Sequence, residues 1–409
     1  MTTMIFQTLD DKSECVGIYT NKTLYFEEND FPKDLTATWK HSSHLTGKDV
    51  EYASLYLEGK PFEENIPEYL LDDWNDAFKK LQSFRRSLVT AKVSTAENCF
   101  FDLVPKRFLI EFCETKNKIT EHILRSCPKP DRYDFYKQVC IMLSDIGDVK
   151  ISVDAAKVSS YLGHSKLDSR AKAIITAAPY VKYNQFGTKT GRLTTKKNTF
   201  PILTLNKEFR SAIKPRNDYF LELDFNGAEI RVLLGLLNKE QPKEDVHAYH
   251  LKSVFGDGYT REKVKTLFFA WLYGAKSAID QSTSRKLSDF YEKDSIIDKH
   301  WDGKNVTSYY RKTIPCPSRH HALNYLVQST AAELALKQFL KINYALKKMG
   351  SGSNVSFLVH DAIVLDMKKE DEKLVNVLVK LMSSTNFGNF LVNVKKGNSL
   401  GNLKECSFV

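Results

Sequence analysis

The stretch LELDFNGAEIR, residues 221–231, decides how this chain is read. Leu221 and Leu223 alternate with Glu222 and Asp224, which is the period of a strand. The strand ends on a carboxylate, Asp224. Asn226-Gly227 then reads as a turn, and residues 228–234 as a helix. An acid at the end of a buried strand is held rigidly and open on one side. That suits a hard cation such as Mg²⁺, which takes one or two protein carboxylates and keeps water and substrate phosphates as its other ligands. The same acid could cap the following helix, and on this stretch alone capping is the simpler explanation.

Two distant stretches shift that balance. VSFLVHDAIVLDM, residues 355–367, reads as two apolar strands joined at His360-Asp361. An acid in so tight a junction is costly unless paired or metal-bound. The competing explanation is a hairpin turn that uses Asp for its geometry. REKVKTLFFAWLYG, residues 261–274, is helical, with Arg261, Lys265, Phe269 and Tyr273 four apart. Each step drifts about 40°, so the four wind as one stripe about 18 Å long. Cations sit at one end and aromatics at the other, the layout of a triphosphate joined to a flat base. An amphipathic helix with its basic end in water and its aromatic end in the core would show the same spacing. Two strand-end acids around such a helix suggest two-metal phosphoryl transfer, with basic groups neutralising the leaving phosphates.

Composition agrees. The 409 residues are 42% hydrophobic, enough for two or three domains. A formal charge of +10 suggests a polyanionic partner such as nucleic acid. No apolar run approaches the roughly 20 residues that cross a membrane, and the N-terminus has no signal pattern. The seven scattered cysteines read as reduced thiols, which points to the cytoplasm. Between residues 184 and 200 the chain is loop-like and basic, with Lys189, Arg192, Lys196 and Lys197 among Thr and Gly. It could lie along a phosphate backbone or be a plain surface loop.

In chain order, residues 4–9, 15–20 and 23–28 are strand-like, with Asn21-Lys22 as a hairpin turn, and residues 51–57 are a further strand. Pro67 opens a helix with Leu71, Trp74, Phe78, Leu81 and Leu88 on one face, and Pro105 opens another with Phe108, Phe112, Ile119 and Ile123. Helices are also expected from Tyr133 to Asp145, from Asp245 to Phe255, near residues 284–291 and over 322–345.

In their order these motifs resemble family A, the polymerase I-like DNA polymerases. DFNGAEIRVL (224–233) is similar to the family's first carboxylate motif. R-x3-K-x3-F-x3-YG (261–274) is similar to its nucleotide-binding helix, and LVHDAIVLD (358–366) to its second carboxylate motif. TGRL (190–193), DVH (245–247) and Asn324, Gln328 with TAAE (330–333) add matches, so the resemblance runs from about residue 182 to the C-terminus. It implies an α+β right-hand polymerase with an antiparallel palm sheet, helical fingers and a reduced thumb, preceded by a small N-terminal α/β unit. The implied division is 1–95 accessory unit, 96–181 helical lead-in and thumb, 182–245 palm, 246–310 fingers and 311–409 palm.

The resemblance also implies roles. Asp224, Asp361 and the Phe225 carbonyl would hold two Mg²⁺ ions. Arg261, Lys265 and His247 would meet the triphosphate, and Lys265 would protonate pyrophosphate. Phe269 and Tyr273 would form the nucleotide pocket, and Glu229 would exclude a 2′-hydroxyl. Arg192, Gln328 and His360 would touch primer–template DNA. The expected partners are dNTPs and primer–template, with one chain as the working unit and any replication factors separate. The compact form is most similar to short phage versions, which would place it in a bacterial host's cytoplasm. The family's second motif usually reads His-Asp-Glu, but here Ala362 follows Asp361, so a third carboxylate is missing.

A single-subunit RNA polymerase of the same fold, a non-catalytic nucleic-acid-binding protein and a metal-dependent nuclease, which would have no use for the Arg261–Tyr273 stripe, are the alternatives. Proofreading is not expected: Asp10, Asp11 and Glu14 read as loop acids, and no strand in the first hundred residues is expected to carry Asp-x-Glu. Binding to DNA should weaken steeply with salt, with a log–log slope of about −0.9 per phosphate neutralised. Replacing Lys196 and Lys197 together by Ala should flatten that slope in a titration between low and moderate salt. An unaltered slope would put this loop away from DNA.

Overall fold

A computed structural model describes residues 5–6, 17–93, 98–256, 258–275 and 279–406. The chain divides into two compact units, Met1–Asp148 and Val149–Val409.

In the first unit, Ile5–Phe6, Ala37–Thr38 and Glu51–Tyr52 form a small parallel sheet. Ile18–Thr20 pairs with Thr23–Tyr25 around Asn21 and Lys22, both at positive φ (49° and 62°), as a two-residue hairpin of this twist requires. The strand expected over 51–57 stops after Tyr52 and becomes a turn of helix, Ala53–Tyr56, where Leu55 turns into the core. Helix Glu68–Thr90 follows Pro67, and helix Lys106–Ser126 follows Pro105. The first buries Leu70, Trp74, Ala77 and Leu81, whereas Leu71 and Phe78 are 40% and 39% exposed. The apolar face is therefore rotated from the expected one, because Trp74 turns toward Phe62 and Phe112 of its own unit. Phe108, Phe112, Ile119 and Ile123 are buried as their spacing suggests, and helix Tyr133–Asp148 completes the unit.

Asp10, Asp11 and Glu14 lie outside the described residues. The sequence does contain one Asp-x-Glu, Asp49-Val50-Glu51, but only its Glu51 lies in a strand, Glu51–Tyr52. Each acid is met by its own lysine: Lys137 donates to Asp49 at 2.9 Å and Lys129 to Glu51 at 2.6 Å. The expectation of reduced thiols throughout fails at Cys99, which is disulfide-bonded. Spacing along a chain does not reveal a pairing made by folding.

The second unit is organised by a five-stranded antiparallel sheet. Its order is Asn354–Val359, Ala362–Met367, Tyr219–Phe225, Val392–Gly397 and Lys404–Glu405. Tyr219–Phe225 is paired on both sides, and Leu221, Leu223, Ile363 and Leu365 are all 0% exposed. Helix Ala228–Leu236 leaves the sheet through Gly227, at φ 71°, where a Cβ would strike Val246. Val246–His250 is α-helical, but Leu251–Phe255 continues as a wider π turn. Helices Arg261–Tyr273 and Gln281–Phe290 follow, and helix Arg319–Lys348 is longer at both ends than its apolar pattern suggested.

The basic stretch 184–200 is tied at its base, where Tyr183–Asn184 pairs with Thr194–Thr195. Buried Tyr183 fixes this hairpin to the sheet: its hydroxyl donates to the Leu358 carbonyl at 2.7 Å and accepts from the Leu358 N–H at 2.8 Å.

Arg231, with no exposed surface, joins helix Ala228–Leu236 to the chain that follows it. It donates to the carbonyls of Asn226, Pro242 and Glu244 at 2.7, 2.8 and 3.0 Å. Burial lowers its pKa to about 10, with the Asp245 charge opposing. Lysine carries the charge but lacks the planar fork that reaches three carbonyls. Arg231→Lys should therefore cost about 2–4 kcal/mol in urea unfolding. A loss below about 0.5 kcal/mol, the scale of an ordinary surface change, would mean that these contacts do not organise the segment.

Candidate active site

The sheet register brings the two acids together. Asp224 lies opposite Ala362 on one side and opposite Asn393 on the other. Asp361 immediately precedes Ala362, in a two-residue turn whose first residue, His360, sits at φ 56°. Both carboxylates are half-buried at one end of the sheet. Asp224 is pushed up to about 6, first by burial and then by the charges of Glu222 and Asp361; Lys395 and a hydrogen bond from Asn393 oppose this. Asp361 is also raised, by burial, against Arg192 and His360. Two raised acids brought together at one sheet end are a fitting donor pair for a divalent cation. Among the described residues no group of three or more His, Cys, Asp or Glu gathers as a metal site; Mg²⁺ needs only one or two carboxylates. The Phe225 carbonyl accepts from Gly227 N–H at 2.8 Å, which leaves one lone pair.

Above this end a second cluster forms. Glu229 is 3% exposed, ion-paired with Arg192, and accepts from the Tyr273 hydroxyl at 3.0 Å. Burial raises its pKa, while Arg192 and Tyr273 oppose. Thr190 donates to Gln328 at 3.4 Å, on helix Arg319–Lys348 beside Tyr273. Gly191, Arg192, His360 and Asp361 share the wall of one small cavity.

Helix Arg261–Tyr273 is capped by Thr260 and ends at Gly274, φ 74°, where a Cβ would strike His320. Its core face is Val264, Leu267, Phe268 and Trp271. The stripe Arg261, Lys265, Phe269 and Tyr273 lies off that face, so its aromatic end is not the buried end. Phe269 stacks on Tyr273 with centroids 5.7 Å apart and planes at 24°. Buried His247 lies 6.3 Å from Phe269 and is depressed to about 4, chiefly by burial, so it is neutral near pH 7. Lys265 is exposed, and Arg261 is held by Asp245.

No family model matches the chain. The chain aligns with curated proteins, at 25% identity over 254 residues with DNA polymerase I of Chloroflexus aurantiacus and 22% over 278 residues with that of Aquifex aeolicus. These alignments cover 51% and 59% of this chain, and 27% and 48% of the relatives' own lengths. The polymerase domain of Pol1 from M. smegmatis, solved with DNA primer-template and dNTP, superposes with a TM-score of 0.69 at 12% identity, over 98% of this chain and 95% of that one. The chain has the fold of a family A polymerase domain.

Within the family A fold, every residue singled out by motif falls in the second unit. Asp224, Phe225 and Asp361 meet at the sheet end, and Arg192, Glu229, Tyr273 and Gln328 form one cluster. Arg261, Lys265, Phe269 and His247 flank one helix face. His360 is exposed beside Asp361. Sequence reasoning missed Asn393 and Lys395, and it quoted Asp245 only within DVH, without a role. The first two lie in a short strand with no motif of its own and gain their place only by pairing with Asp224. Glu222 was also passed over, although its spacing of two from Asp224 puts both on one face of the strand. Lys395 donates to it at 2.9 Å.

The raised pKa of Asp224 sets a sign for stability. Its folded value, about 6, exceeds the ordinary 3.8, so the ionised form burdens the folded state above about pH 6 and the burden vanishes as pH falls through 3.8. In chelator, Asp224→Asn should therefore stabilise the protein by about 1–3 kcal/mol at pH 7.5. The gain should shrink toward zero near pH 4. A variant less stable than wild type at pH 7.5 would contradict this account of the acid pair.

Proposed function

We propose that this chain is a template-directed DNA polymerase that extends a primer 3′ end with dNTPs by two-metal phosphoryl transfer. The observation that carries the reading is the adjacency of Asp224 and Asp361 at one sheet end, beneath the Arg192–Glu229–Tyr273 cluster. Asp224, Asp361 and the Phe225 carbonyl would hold two Mg²⁺ ions. When bound, these ions supply Lewis acidity to the primer hydroxyl and offset charge on the leaving pyrophosphate.

The chain's own residues do the rest. Arg261 and Lys265 bind the phosphates as cations, and neutral His247 does so as a hydrogen-bond donor. Lys265 passes its proton to pyrophosphate. The stacked rings of Phe269 and Tyr273 form the nucleotide pocket and receive the incoming base. Glu229, held by Arg192 and Tyr273, crowds the sugar where a 2′-hydroxyl would sit. Arg192, Gln328 and His360 meet the primer–template.

A single-subunit RNA polymerase would have no use for a buried carboxylate at Glu229, and a passive nucleic-acid binder none for two acids brought together at one sheet end, where the charge of Asp361 helps to raise the pKa of Asp224. Both readings are therefore weaker. The first unit acts as an accessory without proofreading, since Lys137 and Lys129 occupy Asp49 and Glu51.

Wild type should extend a primed template with Mg²⁺ and dNTPs and use rNTPs poorly. Asp361→Asn should lower extension by about 10³-fold or more, with DNA affinity close to wild type in a filter-binding assay. Near-normal extension by that variant would remove the acid pair from the chemistry. A mismatched 3′ end incubated without dNTPs should stay intact; shortening that disappears when Asp49 and Glu51 are replaced would show a nuclease in the first unit.

A further inference from the structure

Asp245 is not part of the acid pair, yet it is the most fully bonded carboxylate near the site. Its Oδ1 accepts from the N–H groups of His247 at 3.0 Å and Ala248 at 2.9 Å, which caps helix Val246–His250. The same oxygen accepts from Arg261 Nε at 2.9 Å. Its Oδ2 accepts from Arg261 Nη2 at 2.7 Å and from Asn226 Nδ2 at 2.8 Å. The Arg261 pair is thus bidentate, the geometry that fixes a guanidinium in direction as well as place. Burial works to raise the Asp245 pKa, but the donors from Arg261, Asn226 and Ala248 outweigh it and hold the group well below the usual carboxylate range.

Asn226 ties this carboxylate to the acid strand. Its backbone N–H donates to the Leu391 carbonyl at 3.0 Å, and its side-chain oxygen accepts from Val246 N–H at 2.8 Å. Its side-chain nitrogen also reaches Asn393 Oδ1 at 3.4 Å, and Asn393 in turn hydrogen-bonds Asp224. A continuous set of side-chain contacts therefore runs Asp224–Asn393–Asn226–Asp245–Arg261. Arg261 spends its Nε/Nη2 edge on Asp245 and one Nη1 hydrogen on Glu262 at 2.6 Å. Of the guanidinium's five N–H donors, two stay available on the exposed side for an anion.

We propose that Asp245 is a positioning residue that aims Arg261 at the phosphates of the incoming nucleotide and registers it against Asp224. The inference rests on the polymerase reading, and it assigns Asp245 no contact with substrate. Its effect is entropic: a guanidinium already held by a half-buried, fully bonded carboxylate loses little freedom when a phosphate arrives. Without that hold, Arg261 is a mobile cation at the end of a long side chain.

The test is steady-state primer extension by Asp245→Asn, Arg261→Ala and the double variant. Asn keeps an oxygen to cap the helix but turns an NH₂ group toward both Arg261 Nη2 and Asn226 Nδ2, so it breaks the two bonds at issue. The expected result is an increase in the dNTP KM of about tenfold with kcat and primer–template affinity little changed. In the Arg261→Ala background the same substitution should have no further effect on KM. An unchanged or lower KM in Asp245→Asn would overturn the proposal; a lower value would mean that the carboxylate competes with the triphosphate. An equal effect in both backgrounds would also overturn it, since Asp245 would then act on the fold and not through Arg261. If wild type fails to extend primers at all, the polymerase reading falls and this inference falls with it. If wild type extends and Asp245→Asn matches it, only this inference falls.

Discussion

The antiparallel register of Tyr219–Phe225 against Ala362–Met367 is the constraint on which the second unit depends. It sets Asp224 opposite Ala362 and so beside Asp361, although the two acids are far apart in the chain. A slip of one residue would turn Asp224 to the other face and bury Glu222 and Asp366 differently. The register is held by apolar side chains on both strands, Leu221, Leu223, Ile363 and Leu365, none of which reaches solvent. Asp366 adds a polar pin by accepting from the backbone N–H groups of Arg216 and Asn217 at 2.9 and 3.0 Å.

Packing of the sheet leaves its charged end unfavourable by itself. Asp224, Asp361 and Glu222 crowd one another where water is partly excluded, and Lys395 and Asn393 offset only part of the cost. Strain adds to it, because His360 holds a left-handed conformation that a bulky residue rarely adopts. Both features burden the fold without stabilising anything nearby. Such a cost is expected where a site is shaped for an ion or a reacting group instead of for stability.

Rigidity around this end comes from polar groups buried with their partners. Arg231 gathers three carbonyls, Asn226 bonds on every side, and the Tyr183 hydroxyl clamps the hairpin carrying Arg192 to Leu358. Each is a network whose members are satisfied, which is the condition for a buried polar group to specify one arrangement. The first unit is built otherwise, around aromatic packing of Trp74, Phe62, Phe112 and Phe108 between its helices.

By itself the sequence determined the kinds of element and the chemical types at the site. Alternation marked the central strands, four-residue spacing marked the Arg261–Tyr273 stripe, and Pro67 and Pro105 marked helix starts, because these are local properties of neighbouring residues. Motif order pointed to the family A fold before any contact was known. Other features were settled only by tertiary structure. The face that helix Glu68–Thr90 buries, the disulfide at Cys99, the lysines on Asp49 and Glu51, and the Asn393–Asn226–Asp245 relay belong in that group. Each of these depends on which distant residue arrives alongside, and hydrophobic spacing carries no information about a partner on another strand. The pairing of Val392–Gly397 with Tyr219–Phe225 is the plainest case. Nothing in VNVKKG announces a role, yet strand pairing alone sets Asn393 and Lys395 beside the acids.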